Sequence, residues 1–317
     1  NPLLSRQPGI VAFSKVLTES NTTHKSVPML MSDITACNFD SIYHQKGIIT
    51  AFKEAGYQTA FFSNQRYNHS FIDFFGKEAD TFDFIKEDSL DSAYNPSDDE
   101  LLALVAKELS KGNQKQFIVL HTYGSHFNYR ERYPSEDAFF LPDYPVEAEV
   151  KYRDNLVNAY DNTIRYTDSF LSRLIHMLEE QHVDAAMLYT SDHGEDIFDD
   201  SRHLFLHASP VPSYYQLHVP FLIWMSDTYR EAYPEHWQTV TKNKDKDLSS
   251  SRSFFPTMLE LGGVQTSYRN DSSSVVSPLY TMKPRVYLND HNEPRPLDDL
   301  GMKQPDFQKC QVLGIKY

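Results

Sequence analysis

The sequence predicts an α/β fold built on a mostly parallel central sheet with helices on both faces. Three observations carry this. Short apolar runs recur at Thr59–Ser63, Phe117–His121, Ala186–Ser191 and Phe221–Met225, with a further one at Arg285–Leu288. They lack the polar alternation of a half-solvated strand and so suit a sheet covered on both sides. Helical patterns lie between them, as expected for parallel strands joined by crossover helices. Polar side chains also cluster just past three strand ends, where open α/β sheets hold ligands.

The elements follow in order. Lys46–Ala55 reads as a helix closed by Gly56 and feeds the Thr59 strand. Asp98–Leu109 reads as a second helix, joined to the Phe117 strand through the polar connector Lys111–Gln114. Val150–Gln181 is the longest helical pattern. Leu156, Ala159, Ile164, Tyr166, Phe170, Leu174 and Met177 fall near helical spacing along it, and it feeds the Ala186 strand. The Ser-rich stretches Lys242–Ser253 and Thr266–Ser277 read as surface loops, and the proline-bearing tail after Asn289 as irregular. With no internal repeat and no long flexible linker, residues 1–317 read as one domain.

Composition narrows the function. Of the 317 residues 40% are hydrophobic and 23% charged, which is ordinary for a globular chain. The net charge of −14 argues against nucleic acid, whose phosphates need Lys and Arg to neutralise them. It leaves no basic stripe for an anionic membrane either. The most apolar stretch, Val219–Met225, is far too short to span a bilayer. There is no initiating Met and no leader pattern, so the chain reads as a piece of a longer protein. Cys37 and Cys310 lie in no metal or redox spacing and read as two free buried thiols.

Four segments carry candidate chemistry. Ser191-Asp192-His193-Gly194-Glu195 follows the Ala186 strand, and an adjacent carboxylate and imidazole there suit zinc. His121-Thr122-Tyr123-Gly124-Ser125-His126 ends the Phe117 strand with two histidines able to reach an anion or a metal. Leu206-His207-Ala208, with His203 nearby, offers a further ligand; by spacing alone the two histidines are equal candidates that could share a helix face. Ser20-Asn21-Thr22-Thr23 precedes Ser26-Val27-Pro28 and reads as a helix start. A hydroxyl there is placed for a nucleophile whose phosphorylated form the helix N-terminus would stabilise.

Together these segments resemble one family. Thr23-x-x-Ser26-Val27-Pro28, His121-x-x-Gly124-Ser125-His126 with Arg132-Tyr133-Pro134, Ala159-Tyr160-Asp161-Asn162, Ser191–Glu195 and Leu206-His207 occur in this order in the phosphoethanolamine transferases of lipid A and lipopolysaccharide. The resemblance runs from about Thr22 to Pro256. It implies a three-layer α/β sandwich of the alkaline phosphatase/sulfatase type. Thr23 looks like the nucleophile and a zinc ligand, Asp192 and His193 like ligands of a tightly bound zinc, and His126 and His207 like residues around the phosphate and a second zinc position. His207 is preferred to His203 because Leu-His followed by a small residue matches the family. His121 is a further substrate candidate. A family Lys that binds the phosphoethanolamine group has no match, and His69, in the Asn64–Ser70 loop, is the nearest candidate.

The resemblance also implies a phosphatidylethanolamine donor, a lipid A or lipopolysaccharide acceptor, and a membrane domain preceding this one. It places the domain on the periplasmic side of a bacterial inner membrane. Two departures stand out. The family's first strand ends in a zinc-ligating Glu ahead of the Asn-Pro at which this chain starts, so the fragment is expected to lack that ligand and the first core strand, and to hold metal weakly or not at all. Met29 stands where many relatives begin a disulfide. A sulfatase needs Arg two residues after the Pro of its modified-residue motif, and Leu30 stands there. A phosphoglycerol transferase, a phosphodiesterase and a non-catalytic binding domain are the remaining alternatives.

Overall fold

The computed structural model describes residues 1–67, 69–86, 96–112 and 115–317. The strands are β1 (Ile10–Phe13), β2 (Val16–Leu17), β3 (Gln58–Ser63), β4 (Thr81–Phe84), β5 (Gln116–His121), β6 (Ala186–Thr190), β7 (Asp196–Ile197), β8 (Phe205–Leu206), β9 (Phe221–Met225), β10 (Leu248–Ser249), β11 (Val286–Leu288) and β12 (Pro294–Pro296). The helices are α1 (Thr23–Met31), α2 (Ile48–Glu54), α3 (Phe71–Gly76), α4 (Glu100–Leu109), α5 (Arg153–Glu179), α6 (Tyr214–Leu217), α7 (Asp227–Ala232), α8 (Pro234–Asn243), α9 (Ser250–Leu261) and α10 (Gln304–Val312). The chain divides into two compact units. One holds Asn1–Pro8, Gly56–His182 and Ile197–Leu206; the other holds Gly9–Ala55, Val183–Asp196 and His207–Tyr317.

The first unit contains a parallel sheet in the order β4–β3–β5. In β3, Thr59, Ala60, Phe61, Phe62 and Ser63 are all buried, the continuous pattern of a strand covered on both faces. The register sets Ser63 opposite both Phe84 and His121, so the three strands end level. The 27-residue α5 buries Leu156, Ala159, Tyr166, Phe170, Leu171, Leu174 and Ile175, while Ile164 and Met177 are half-buried. Leu156 and Ala159 pack with Tyr129, Ile197 and Phe198. Each Leu, Ile or Phe among them contributes about 1.5–3 kcal/mol when fully removed from water.

In the second unit β9 lies between β1 and β6 and is antiparallel to both. β1 was not foreseen, because four apolar residues between Gly9 and Ser14 are too few to show a period. Here they are tied down by β9, with Phe13 edge-on to Phe221 at 5.6 Å. Val11, Phe13, Phe221, Ile223 and Met225 form a core with Leu248, Val275 and Val276.

Four expectations change. The 242–253 stretch is not a surface loop: it runs from α8 through β10 into α9, where Ser250, Ser251 and Ser253 are buried. The 266–277 stretch is irregular, but Val275 and Val276 are fully buried and Ser273, Ser274 and Ser277 are buried beside them. The tail after Asn289 is ordered into β12 and α10, and Met302, Cys310 and Ile315 pack on Leu17, Leu217 and Tyr287. Cys37 is exposed, and only Cys310 is buried. Residues 113 and 114 of the expected 111–114 connector, and residue 68 of the 64–70 loop, lie outside the described residues.

Candidate active site

The site in the second unit is assembled from two segment ends. Thr23 is the first residue of α1, after Thr22 in extended backbone at the N-cap. Helix-start N–H groups lack internal carbonyl partners and carry the positive end of the helix dipole, so the Thr23 hydroxyl sits where negative charge is favoured. The β6 strand ends at Thr190, and the chain turns through Asp192 and His193 immediately after. Gly194 makes that turn possible: a Cβ there would lie 2.1 Å from the Tyr215 carbonyl oxygen.

The Thr23 hydroxyl lies 3.0 Å from His193 Nε2. His193 Nδ1 lies 3.0 Å from the Gly194 carbonyl, which can only accept, so Nδ1 carries the proton and Nε2 offers its lone pair. Thr23 therefore donates to His193. Asp192 Oδ2 is 3.4 Å from the same Nε2 and accepts from Ser26 Oγ at 3.1 Å. The His207 ring lies beside that of His193, tilted by 35° with centroids 4.1 Å apart, and its Nδ1 lies 3.2 Å from Glu195 Oε1. A carboxylate on one ring nitrogen fixes the tautomer and aims the other nitrogen. Leu206 and Ala208, the neighbours of His207, both have left-handed backbone, at φ 64° and 62°. No helix joins His203 to His207; Phe205–Leu206 is β8, so the shared helix face expected from their spacing does not exist.

A buried polar network sets this geometry. Asn21 donates to Gln216 Oε1 at 2.6 Å and to the Ser209 carbonyl at 3.0 Å, and accepts from the Tyr287 hydroxyl at 2.6 Å. Gln216 donates to Asp196 at 2.6 Å, and its carbonyl accepts from Gly194 N at 2.9 Å. Ala208 N donates to the Asn21 carbonyl at 3.2 Å. The segments bearing Thr23, His193 and His207 are thus linked through one set of hydrogen bonds. Burial pushes the Tyr287 phenol well above its ordinary range, keeping it a donor. Burial also lowers the Lys25 ammonium, whose Nζ donates to the Asn289 carbonyl at 2.7 Å.

The donor set can be tested for zinc. Among the described residues no cluster of three His, Cys, Asp or Glu side chains could hold a metal by itself, so a ligand set at this site would need Thr23 as a further donor. Ligands about 2.0–2.1 Å from a tetrahedral zinc stand about 3.3 Å from one another. Thr23 Oγ1, His193 Nε2 and Asp192 Oδ2, with edges of 3.0 and 3.4 Å, match that spacing, and oxygen–nitrogen donors suit the ion. The three residues fit zinc as part of a ligand set.

The other candidates lie in the first unit. His121 ends β5 and shares a 3.0 Å hydrogen bond with Ser63 Oγ at the end of β3. His126 is exposed and edge-on to Tyr123 at 5.3 Å. Asp98 shapes that loop by accepting from Tyr123 N at 2.8 Å and Gly124 N at 2.9 Å. His69 is exposed, in left-handed backbone, and edge-on to Tyr67 at 4.4 Å. Asn162, of the Ala-Tyr-Asp-Asn motif, is buried and holds the 139–140 backbone by accepting from both amides at 2.9 Å. Sequence reasoning assigned no role to Glu195, Ser26, Asn21, Asp196 or Gln216. Glu195, Ser26 and Asn21 stand inside the quoted segments. Asp196 and Gln216 gave no local signal.

Known proteins resemble this chain in sequence and in fold. The sulfatase family model matches residues 1–264. Phosphoethanolamine transferase EptA of Salmonella typhimurium is 28% identical over 287 residues, 88% of this chain and 51% of its own length. The C-terminal periplasmic domain of EptC from Escherichia coli, solved in complex with zinc, superposes with a TM-score of 0.84 at 22% identity, covering 95% of this chain and 85% of that one. The soluble domain of lipooligosaccharide phosphoethanolamine transferase A from Neisseria meningitidis gives a TM-score of 0.78 at 26% identity, covering 89% and 86%. The chain spans about half the length of the curated relatives it matches. By the family model and by its alkaline phosphatase/sulfatase-like fold, the chain belongs to the sulfatase family, and the relatives it matches there are phosphoethanolamine transferases.

Proposed function

We propose that this chain, over residues 1–317, is the catalytic domain of an enzyme that transfers phosphoethanolamine from phosphatidylethanolamine to lipid A or a lipopolysaccharide core sugar. The observation that carries the reading is the Thr23 hydroxyl at the start of α1, 3.0 Å from His193 Nε2, with Asp192 and the Glu195–His207 pair beside it. The names of the matched relatives give the group transferred and a lipooligosaccharide acceptor.

Thr23 is the nucleophile. Its oxygen forms a bond to phosphorus and loses its proton to solvent, while the bond from phosphorus to the diacylglycerol oxygen breaks and diacylglycerol leaves as the alcohol, taking up a proton from solvent. An acceptor oxygen then attacks the phospho-threonine and frees Thr23. The N-terminal amides of α1 face the negative charge that Thr23 carries in between. His207, oriented through Nδ1 by Glu195, holds a phosphate oxygen or takes the acceptor proton at Nε2. Thr23, Asp192 and His193 would hold one zinc, and His207 would serve a second position. The metal would lower the pKa of the hydroxyl and neutralise phosphate charge. Roles for His126, His121 and His69 toward the substrate rest on the sequence resemblance.

Among the described residues no helix is long and apolar enough to cross a membrane. The reading places the domain in the periplasm, joined to the inner membrane through a part of the protein outside this chain. The test is a transfer assay on the full-length enzyme with headgroup-labelled donor lipids. Label reaching lipid A or core oligosaccharide from phosphatidylethanolamine supports the reading. Transfer from phosphatidylglycerol alone makes the enzyme a phosphoglycerol transferase, and release of free headgroup alone makes it a phosphodiesterase.

A further inference from the structure

One turn of α1 presents two hydroxyls to the turn that follows β6. Thr23 opens the helix and Ser26 follows three residues later, so the two share a helix face. Their partners are also neighbours: the Thr23 hydroxyl meets His193 Nε2, and Ser26 Oγ meets Oδ2 of Asp192. All four residues belong to the second unit.

Ser26 is fully buried, and its single hydroxyl proton has two acceptors in reach. One is the Thr22 carbonyl at 2.9 Å, the other Asp192 Oδ2 at 3.1 Å. A helical serine often gives its proton to the carbonyl four residues back. Here that carbonyl already accepts from Lys25 N at 3.0 Å and Ser26 N at 2.9 Å, which use both of its lone pairs. The carboxylate is charged, and a bond to it is roughly twice as strong as a neutral one. The proton therefore goes to Asp192.

Oδ2 is also the atom 3.4 Å from His193 Nε2, the corner of the triangle that fits zinc. With one lone pair on Ser26 it keeps another for an ion. The Asp192 side chain is 24% exposed, so water already solvates it in part. What Ser26 adds is direction, because the terminal torsion of an aspartate is otherwise broad.

We propose that Ser26 is a positioning residue: it fixes Asp192 Oδ2 so that Asp192, His193 and Thr23 stand ready as a ligand set for a divalent cation. The helical turn that carries the nucleophile thereby also orients a ligand. This deepens the reading of the Thr23 site and rests on it for zinc as the ion.

Zinc affinity tests it without donor or acceptor lipid, so the outcome is independent of the transfer assay. The full-length enzyme is stripped of metal and titrated with zinc against a competing chelator of known affinity. Ser26→Ala removes one oxygen and leaves the best helix former, so the metal-free variant melts near wild type. Its zinc affinity falls about 10–100-fold, as for other partners that orient a ligand. Ser32, at the far end of α1, donates to the Pro28 carbonyl at 2.7 Å and serves as the control for a backward helix bond. Ser32→Ala keeps wild-type zinc affinity. Unchanged affinity in Ser26→Ala, an equal loss in Ser32→Ala, or no zinc binding by the wild-type enzyme overturns the role.

Discussion

Glu195 is a residue whose importance comes from another residue. Its side chain is almost fully buried and lies against His207 Nδ1 at 3.2 Å. Glu195→Gln keeps the shape and removes the charge that holds that ring. Loss of such an orienting partner typically costs about 10–100-fold in activity or metal affinity. The transfer rate of the full-length variant should fall in that range while its melting temperature stays near wild type; an unchanged rate would separate Glu195 from the chemistry. At this scale the sequence was legible where residues are contiguous. Asp192, His193 and Glu195 share one five-residue string, and Thr23 and His207 stand in short motifs. Partners that meet only through folding, such as Asn21 with Gln216, leave no mark on neighbouring positions. The His203–His207 spacing misled because i, i+4 proximity needs a helix, and this segment is extended.

Among the elements, α10 shows what polarity conceals. The helix looks solvated in sequence, yet Asp306 and Cys310 are buried. Asp306 accepts from Tyr214 N and from Lys303 N, both at 2.9 Å, and so caps α6 and α10 at once. Asp306→Ala leaves the buried Tyr214 N–H without its partner and removes the cap on the Lys303 N–H, which costs about 1–3 kcal/mol. Chemical denaturation of this chain should show that loss; a midpoint within error of wild type would contradict the double cap. The apolar strands were legible to within one or two residues, because continuous burial writes a continuous apolar run. The Ser-rich stretches were not, because a serine buried against distant segments has the same local composition as a solvated one. Ser251 Oγ, for example, accepts from Glu19 N at 3.3 Å inside the core.

For the whole molecule, alternation of helix and strand gave the α/β class, and the ordered motifs gave the family. The partition into two compact units was not legible, since it depends on which distant segments pack together. The second unit joins residues 9–55 to residues 183–196 and 207–317, and this brings Thr23 to His193 across 170 positions. The central claim is that Thr23 carries the transferred group. Intact-mass analysis of the full-length enzyme, quenched after mixing with phosphatidylethanolamine in the absence of acceptor, tests it most directly. The expected result is one added phosphoethanolamine, mapped by peptide sequencing to Thr23 and absent, together with transfer activity, in Thr23→Ala. An unmodified Thr23, with activity retained in Thr23→Ala, would contradict it.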